Sequence, residues 1–251
     1  MSGGVCEVAD CGATGMRLRS LQICERPLIP WVHLDTARIP NGQADLLLKR
    51  RGTEFSIMSG MIELMNSRLS GSEKALATLP CAKIGGRSRA RILIGGLGMG
   101  FTLRAALESL GPDARIEVAE LLPAVVGWAR GPMAELFGDC LSDPRVTLRV
   151  EDVAIAINAP GAGYDAIMLD VDNGPYGLNR TANDGLYSPR GLGAARKALT
   201  AGGVLAVWSA DADASFTKLL GRSGYAVEEH VVRAHRPGKG ARHMIWLATR
   251  D

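Results

Sequence analysis

At 251 residues, 47% of them hydrophobic, the chain is long enough to bury a full core, and its formal net charge of +3 is too small to mark a nucleic-acid binder. Five cysteines, an odd number without a C-x-x-C pair, argue against a disulfide scaffold and for a reducing cytoplasm. The longest apolar runs are strand-sized, short of the roughly 20 residues that span a bilayer, and no N-terminal stretch joins a basic head to an apolar core, so a cytoplasmic location without a membrane partner is expected.

The first 85 residues differ in texture from the rest. Pro27, Pro30 and Pro40 punctuate short segments, and Ala44–Arg50 followed by Glu54–Ile57 predicts a small antiparallel element turning near Gly52. A helix is expected over Ser72–Leu79. We read residues 1–85 as a β-rich appendage over the mouth of a larger domain, 86–251. Cys6, Cys11 and Cys24 with His33 match no zinc spacing, so no metal is expected. The basic clusters Lys49-Arg50-Arg51 and Arg87-Ser-Arg-Ala-Arg91 read as solvated loop or strand ends.

From Ile92 onward strands and helices alternate. Strands are predicted at Ile92–Ile94, Ile116–Glu120, Val146–Val150, Tyr164–Asp170 and Val204–Ser209. Helices are predicted at Phe101–Ser109, Pro123–Arg130, Gly191–Leu199 and Ala214–Arg222, and Ala226–Ala234 with His243–Thr249 form a closing antiparallel pair. Such alternation makes an α/β fold: a doubly wound, mostly parallel, Rossmann-like sheet with right-handed crossovers and helices on both faces.

The run Arg91-Ile-Leu-Ile-Gly-Gly-Leu-Gly-Met-Gly100 carries the chemistry. A buried strand that turns sharply into a helix beneath a ligand needs residues without a Cβ, and Gly95, Gly96, Gly98 and Gly100 supply them. About twenty residues on, Glu120 ends the next strand, placed to accept both hydroxyls of a ribose. Phe101 stands where the third glycine of G-x-G-x-x-G would fall, which favours S-adenosylmethionine or a relative over NAD. Asp152, Asp170 and Asp211 also fall at or just beyond strand ends, where open sheets bind ligands, although each alone is usually a helix cap or turn residue. The loop from Asp172 to Tyr187 suits a lid, with Tyr176 and Tyr187 either lining an acceptor pocket or anchoring the loop. Trp208 and Ser209 are candidates for the pocket floor.

Between about Ala44 and Ala248 these motifs resemble the spermidine synthase-like (polyamine aminopropyltransferase) family of class I S-adenosylmethionine-dependent transferases. Ile92–Gly100 is similar to that family's strand followed by G-G-G-D-G, and Val118-Ala-Glu-Leu-Leu-Pro-Ala-Val-Val126 to its V-E-L-D-P-x-V-V. Asp143-Pro-Arg-Val146 and Glu151-Asp-Val153 resemble its D-P-R-V and G-D-A, Tyr164–Asp170 the strand ending in D-S-S-D-P, and Leu199–Leu205 its L-x-P-G-G-x-L. Ile62-Glu-Leu64 and Ser72-Glu73 are similar to its I-Q-L and H-E segments.

The resemblance implies a methyltransferase-like fold and a donor that is S-adenosylmethionine or its decarboxylated form. It implies a donor site built from the glycine loop, Glu120, Leu121, Asp152 and Val153, with Asp152 receiving the adenine amino group. It also implies an amine acceptor, Asp170 as base with Asp172 as a second acid, an acceptor pocket involving Asn173, Tyr176, Tyr187 and Asp211, and a possible homodimer. Two departures bear on this: Met99 stands where the family's glycine loop carries an Asp, and Asn173 where the second Asp of D-S-S-D falls. Methyl transfer from the same donor cleft, and non-catalytic binding of an adenosyl ligand, are the alternative readings.

Overall fold

The computed structural model describes residues 29–39, 45–171, 185–235 and 240–251, and Trp31–Asp251 form one unit. Two sheets organise it. The first is a four-stranded antiparallel meander in the order β1 (Val32–Ala37), β2 (Leu46–Arg51), β3 (Glu54–Ser59), β4 (Ile62–Asn66). The expected hairpin turns at Gly52, with φ +60°, and a second turn at Gly60, φ +57°, adds β4, which the sequence had not predicted.

Helix α1 (Gly71–Ile84) starts one residue before the predicted helix and runs five beyond it, through Pro80. Proline lacks an N–H and ordinarily kinks a helix interior. Here Leu76, Ala77, Pro80, Cys81 and Ile84 are all buried, and that packing carries the helix one turn past the proline until Gly85, φ +45°, ends it.

The second sheet begins with β5 (Arg91–Gly95), then α2 (Phe101–Ser109), β6 (Arg115–Glu120), α3 (Pro123–Arg130), the single turn α4 (Ala134–Phe137) and β7 (Val146–Val150). It continues with α5 (Val153–Ile157), β8 (Tyr164–Leu169), α6 (Pro189–Ala198), β9 (Leu199–Ser209), α7 (Ala214–Arg222), β10 (Tyr225–Arg233) and β11 (Arg242–Arg250). Strand order is β10-β11-β9-β8-β5-β6-β7. The five strands from β9 to β7 are parallel, and β10 and β11 close the sheet antiparallel. Relative to the predicted elements, β9 begins at Leu199 rather than Val204, pairing Leu199 with Tyr164 across a register irregularity, and α4 and α5 are additional.

Both faces of the sheet are covered, so strand residues alternate between two cores rather than between core and water. Ile92, Ile94, Ile116, Val118, Ala166 and Met168 pack with Leu76, Leu103 and Trp128 on one face. Leu93, Ile167, Leu169, Leu205 and Trp246 pack with Leu192, Phe216 and Leu220 on the other. The chain leaves β5 toward β6 and β7, then returns to β8 on the opposite side, so strand order reverses between β5 and β8. A crevice opens there, beyond the carboxyl ends of the strands.

The basic clusters serve the framework. Arg87 Nη1 donates to Asp165 Oδ1 at 2.6 Å and to Thr200 Oγ1 at 2.8 Å, tying the entry of β5 to β8 and β9. Arg51 pairs with Glu54 and lies over the Trp31 ring. Arg145, in the Asp143-Pro-Arg motif, grips Asp143 through Nη2 at 2.8 Å and donates from Nη1 to the carbonyls of Leu107 and Leu110 at the end of α2. That guanidinium holds the Asp143 carboxyl down at about 2.

Candidate functional site

A cavity of about 1700 Å³ occupies the crevice. Its walls come from the strand ends of the large sheet and from β4 of the small one, including Gly96, Gly98, Glu120, Asp152, Asp170, Glu63 and Met65.

The glycine loop divides into two roles. Gly96 has φ +92°, and a Cβ placed there would lie 2.4 Å from the Asp170 carbonyl oxygen, so only glycine lets β5 and β8 diverge this tightly. Gly98, φ +49°, has Met65 Sδ 3.4 Å from its Cβ position. Both line the cavity. Gly95 and Gly100 do not: a Cβ on Gly95 would meet Val153 at 3.0 Å, and one on Gly100 would meet the Phe137 ring at 2.5 Å. Those two glycines answer to packing behind the loop.

Glu120 is 7% exposed. Its Oε2 accepts the Leu97 N–H at 2.8 Å and its Oε1 the Leu122 N–H at 2.9 Å. Burial raises its pKa, and the surrounding backbone N–H groups of Leu122, Leu97, Gly98 and Leu121 oppose that rise. A carboxylate has about four lone-pair sites, so each oxygen keeps capacity for a hydroxyl from the cavity. Glutamine here would turn an NH₂ toward at least one backbone donor. Glu120→Gln is therefore expected to weaken adenosyl-ligand binding about 30-fold, the equivalent of roughly 2 kcal/mol for an unpaired buried donor plus a lost hydroxyl contact, read by isothermal calorimetry. An affinity within threefold of wild type would refute this role.

Beside it, Leu121 lines the cavity while 54% exposed. Asp152 caps α5, accepting the Ala154 N–H at 2.8 Å, and also faces the cavity next to buried Val153. Thus the cap reading and the ligand-facing position hold together for Asp152.

Two further acids, Asp170 and Glu73, line the same cavity. Asp170 follows β8; its N–H donates to Gly95 O at 2.9 Å, and its Oδ2 accepts the Thr102 hydroxyl at 2.8 Å. Burial pushes its carboxyl up to about 6, against the pull of Thr102. Glu73, in the first turn of α1, is raised to about 7 by burial first and by the Asp170 charge second. Ser72, fully buried, donates to Glu73 Oε2 at 2.7 Å and lies 2.9 Å from His243 Nδ1. His243, on β11, packs edge-on to Trp208 at 4.8 Å between ring centroids, and its pKa is lowered by burial and raised by Asp211. Trp208 lines the cavity with Asp170, Glu73 and His243; Ser209 is buried outside the lining.

Other sequence candidates are placed differently. Tyr187 is buried edge-on against Phe216, ring centroids 5.7 Å apart, outside the cavity lining, which fits the anchoring role. Asp211 is exposed beyond β9, also outside the lining. Asp172, Asn173 and Tyr176 lie outside the described residues, as do Cys6, Cys11 and Cys24. Met99 is buried and lines the cavity, putting a thioether into the glycine loop. Among the described residues Cys81 and Cys140 are free and buried, no group of three or more His, Cys, Asp or Glu could hold a metal ion, and no helix is long and apolar enough to cross a membrane.

Glu73, Thr102 and His243 are the site residues that the sequence did not single out for a role. Only the Ser72-Glu73 pair carried a signal, through its likeness to H-E. Nothing local marks Thr102, which holds Asp170 from outside the cavity lining, or His243, 141 residues further on, which lines the cavity.

No family model matches the chain. Among curated proteins it is 27% identical over 191 residues to a polyamine aminopropyltransferase of Mycobacterium tuberculosis, covering 74% of this chain and 33% of that protein. It is 34% identical over 128 residues to one of Corynebacterium efficiens, covering 50% and 23%. The matched region thus spans about a third or less of the curated relatives' length. Among solved structures, a spermidine synthase in complex with the transition-state analogue AdoDATO superposes with a TM-score of 0.69 at 15% identity, over 93% of this chain and 85% of that one. The spermidine synthase of Thermotoga maritima superposes at 0.68 and 16% identity with the same coverage. By sequence the chain is related to the polyamine aminopropyltransferases, and its fold is that of the spermidine synthases.

Proposed function

We propose that this chain transfers an aminopropyl-type alkyl group from a sulfonium nucleoside, decarboxylated S-adenosylmethionine or S-adenosylmethionine, to an amine, with Asp170 as the base. One observation carries the reading: a single cavity is lined by the glycine loop, Glu120 and Asp152 and also by the carboxyls of Asp170 and Glu73 and by Trp208. The glycine loop with Glu120 and Asp152 suits an adenosyl group; the carboxyls of Asp170 and Glu73 suit a cation. The kinship with polyamine aminopropyltransferases and the spermidine synthase fold support the same reaction.

The chemistry asks little of the protein. The positive sulfur already activates the donor carbon, so what remains is in-line orientation and removal of a proton from an acceptor whose pKa is about 10. Asp170 takes one proton from the acceptor ammonium; the freed lone pair attacks the donor carbon; the carbon–sulfur bond breaks and its electrons neutralise the sulfur. The products are an alkylated ammonium, a neutral thioether nucleoside and a protonated Asp170. A carboxyl raised to about 6 is still mostly ionised at neutral pH and is a stronger base than an ordinary aspartate.

Met99 favours methyl transfer as the second reading. Its apolar side chain in the glycine loop offers no counter-charge for an ammonium beside the donor sulfur. Calorimetry with the two donors, followed by mass spectrometry of the products after adding diamines, separates the readings. Tighter binding of the decarboxylated donor and release of methylthioadenosine are expected. Preference for S-adenosylmethionine with release of S-adenosylhomocysteine would replace aminopropyl by methyl transfer, and failure to bind either donor would overturn both.

A further inference from the structure

We propose that Glu73 is a second catalytic carboxylate, sharing one proton with Asp170, and that Ser72 and His243 position it. The proposal rests on the transferase reading above and adds to it the residues that set the protonation state of the acceptor end.

The geometry comes from three separate elements. Thr102, on α2, donates its hydroxyl to Asp170 Oδ2 at 2.8 Å and lies 3.3 Å from the backbone carbonyl oxygen of Glu73, which ties the Asp170 carboxyl to the first turn of α1; both acids line the cavity. Ser72 has a single hydroxyl hydrogen. While Glu73 is ionised that hydrogen goes to Glu73 Oε2, so His243 Nδ1 at 2.9 Å must be the donor to Ser72. The chain His243 to Ser72 to Glu73 therefore holds one oxygen of the carboxylate, and Glu73 Oε1 has no such partner from Ser72. Gly71, which precedes this pair, is pinned as well: its N–H donates to Ala234 O at 2.9 Å, and a Cβ on it would lie 2.5 Å from the Arg233 carbonyl. The first turn of α1 is thus locked against the β10–β11 end of the sheet, and Glu73 with it.

Like charges in one buried wall do not both ionise readily, and the Asp170 charge is a direct cause of the raised Glu73 titration. Around neutral pH the pair then carries one proton and one negative charge. An acceptor ammonium gives its proton to that charge, the amine attacks the donor carbon, the carbon–sulfur bond breaks, and both carboxyls end protonated. The other titratable groups at this end are Glu63 from β4, which lines the cavity, and His243 from β11, on which Asp211 acts from beyond β9. Lys74, next along α1, is solvent-exposed.

Two measurements on the full chain test this. In acceptor kinetics, Glu73→Gln is expected to lower kcat about 10²-fold and to remove the Glu73 titration near 7 from the pH profile of kcat/KM, leaving an acid limb set by Asp170 alone near 6. Ser72→Ala and His243→Asn are expected to lower kcat by a smaller factor, with donor affinity unchanged. A merely structural Glu73 would leave the acid limb where it is, and that result, or a kcat within twofold of wild type, overturns the proposal. Independently of turnover, carbon-13 NMR of the carboxyls in wild type and Asp170→Asn reads the coupling: a Glu73 titration that ignores Asp170→Asn overturns the shared proton. If the coupling is present but wild type turns over no amine, the transferase reading fails first and the catalytic role of Glu73 fails with it.

Discussion

Asp170→Asn is expected to lower amine-dependent turnover by about 10²- to 10⁴-fold, the range for loss of a positioned general base, while donor affinity stays within about threefold of wild type. The asparagine oxygen can still accept from Thr102, so the local hydrogen bond survives and only the proton acceptor is lost. Stability moves the other way. The folded-state pKa of Asp170, about 6, lies above the unfolded value of 3.8, so folding is favoured most fully below about pH 4 and that favour is lost as the pH rises through 6. At pH 8 wild type holds a buried anion that the variant lacks. Thermal unfolding should therefore show Asp170→Asn to be more stable than wild type at pH 8, by roughly 1–2 kcal/mol after discounting for the solvent that reaches the cavity wall, with the gap closing toward pH 4. Full turnover in the variant would remove Asp170 from the chemistry. Equal stability at both pH values would remove the burial argument for its raised titration.

Gly96→Ala is expected to have the largest effect on the folded state. The new Cβ would sit 2.4 Å from the Asp170 carbonyl oxygen at φ +92°, so the clash is with backbone and cannot be relieved by rotating a side chain. Strain of this kind costs about 3 kcal/mol, combining an unfavourable backbone conformation with displacement of a packed strand end, and should lower Tm by roughly 6–12 °C in a chain of this size. Adenosyl-ligand binding should fall with it, because moving the loop moves the N–H of Leu97 away from Glu120. Gly86→Ala is the control: φ is +59° but nothing lies within 4 Å of the Cβ position, so the cost should stay near 1 kcal/mol. If the two variants melt together, close approach at Gly96 is not what requires glycine.

Much of the large sheet was readable because its signals are local. Helices Phe101–Ser109, Pro123–Arg130 and Ala214–Arg222 and strand Val146–Val150 begin and end where their residues indicate. Predictions failed where packing overrides a local signal: Pro80 reads as a stop, yet α1 continues past it because its apolar face is fully buried; and Thr200-Ala-Gly-Gly203 reads as a loop, yet β9 starts at Leu199 by pairing with Tyr164 across an irregularity. The strands Ile62–Asn66 and Val32–Ala37, the two edges of the small sheet, escaped for a related reason. They are held by cross-strand partners, and no alternation of their own announces them.

The glycine-loop wall of the cavity was legible for the same physical reason as the strands. A glycine run at a strand end and an acid about one β-α-β step later are tied by chain geometry alone, and Gly96, Gly98, Glu120 and Asp152 do meet at one cavity. What the glycines do apart was not legible: Gly95 and Gly100 face Val153 and Phe137, neighbours that only folding supplies.

By itself, then, the amino-acid order determined the doubly wound sheet, the position of the crevice and the placing of Glu120 and Asp152 in its lining, because these follow from periodicity and from which residues tolerate a turn. Tertiary structure alone decided the cluster around Asp170. Glu73, Thr102, Asp170 and His243 come from α1, α2, the end of β8 and β11, and the protonation states of Glu73, Asp170 and His243 depend on burial and nearby charge, quantities that exist only once those elements have packed.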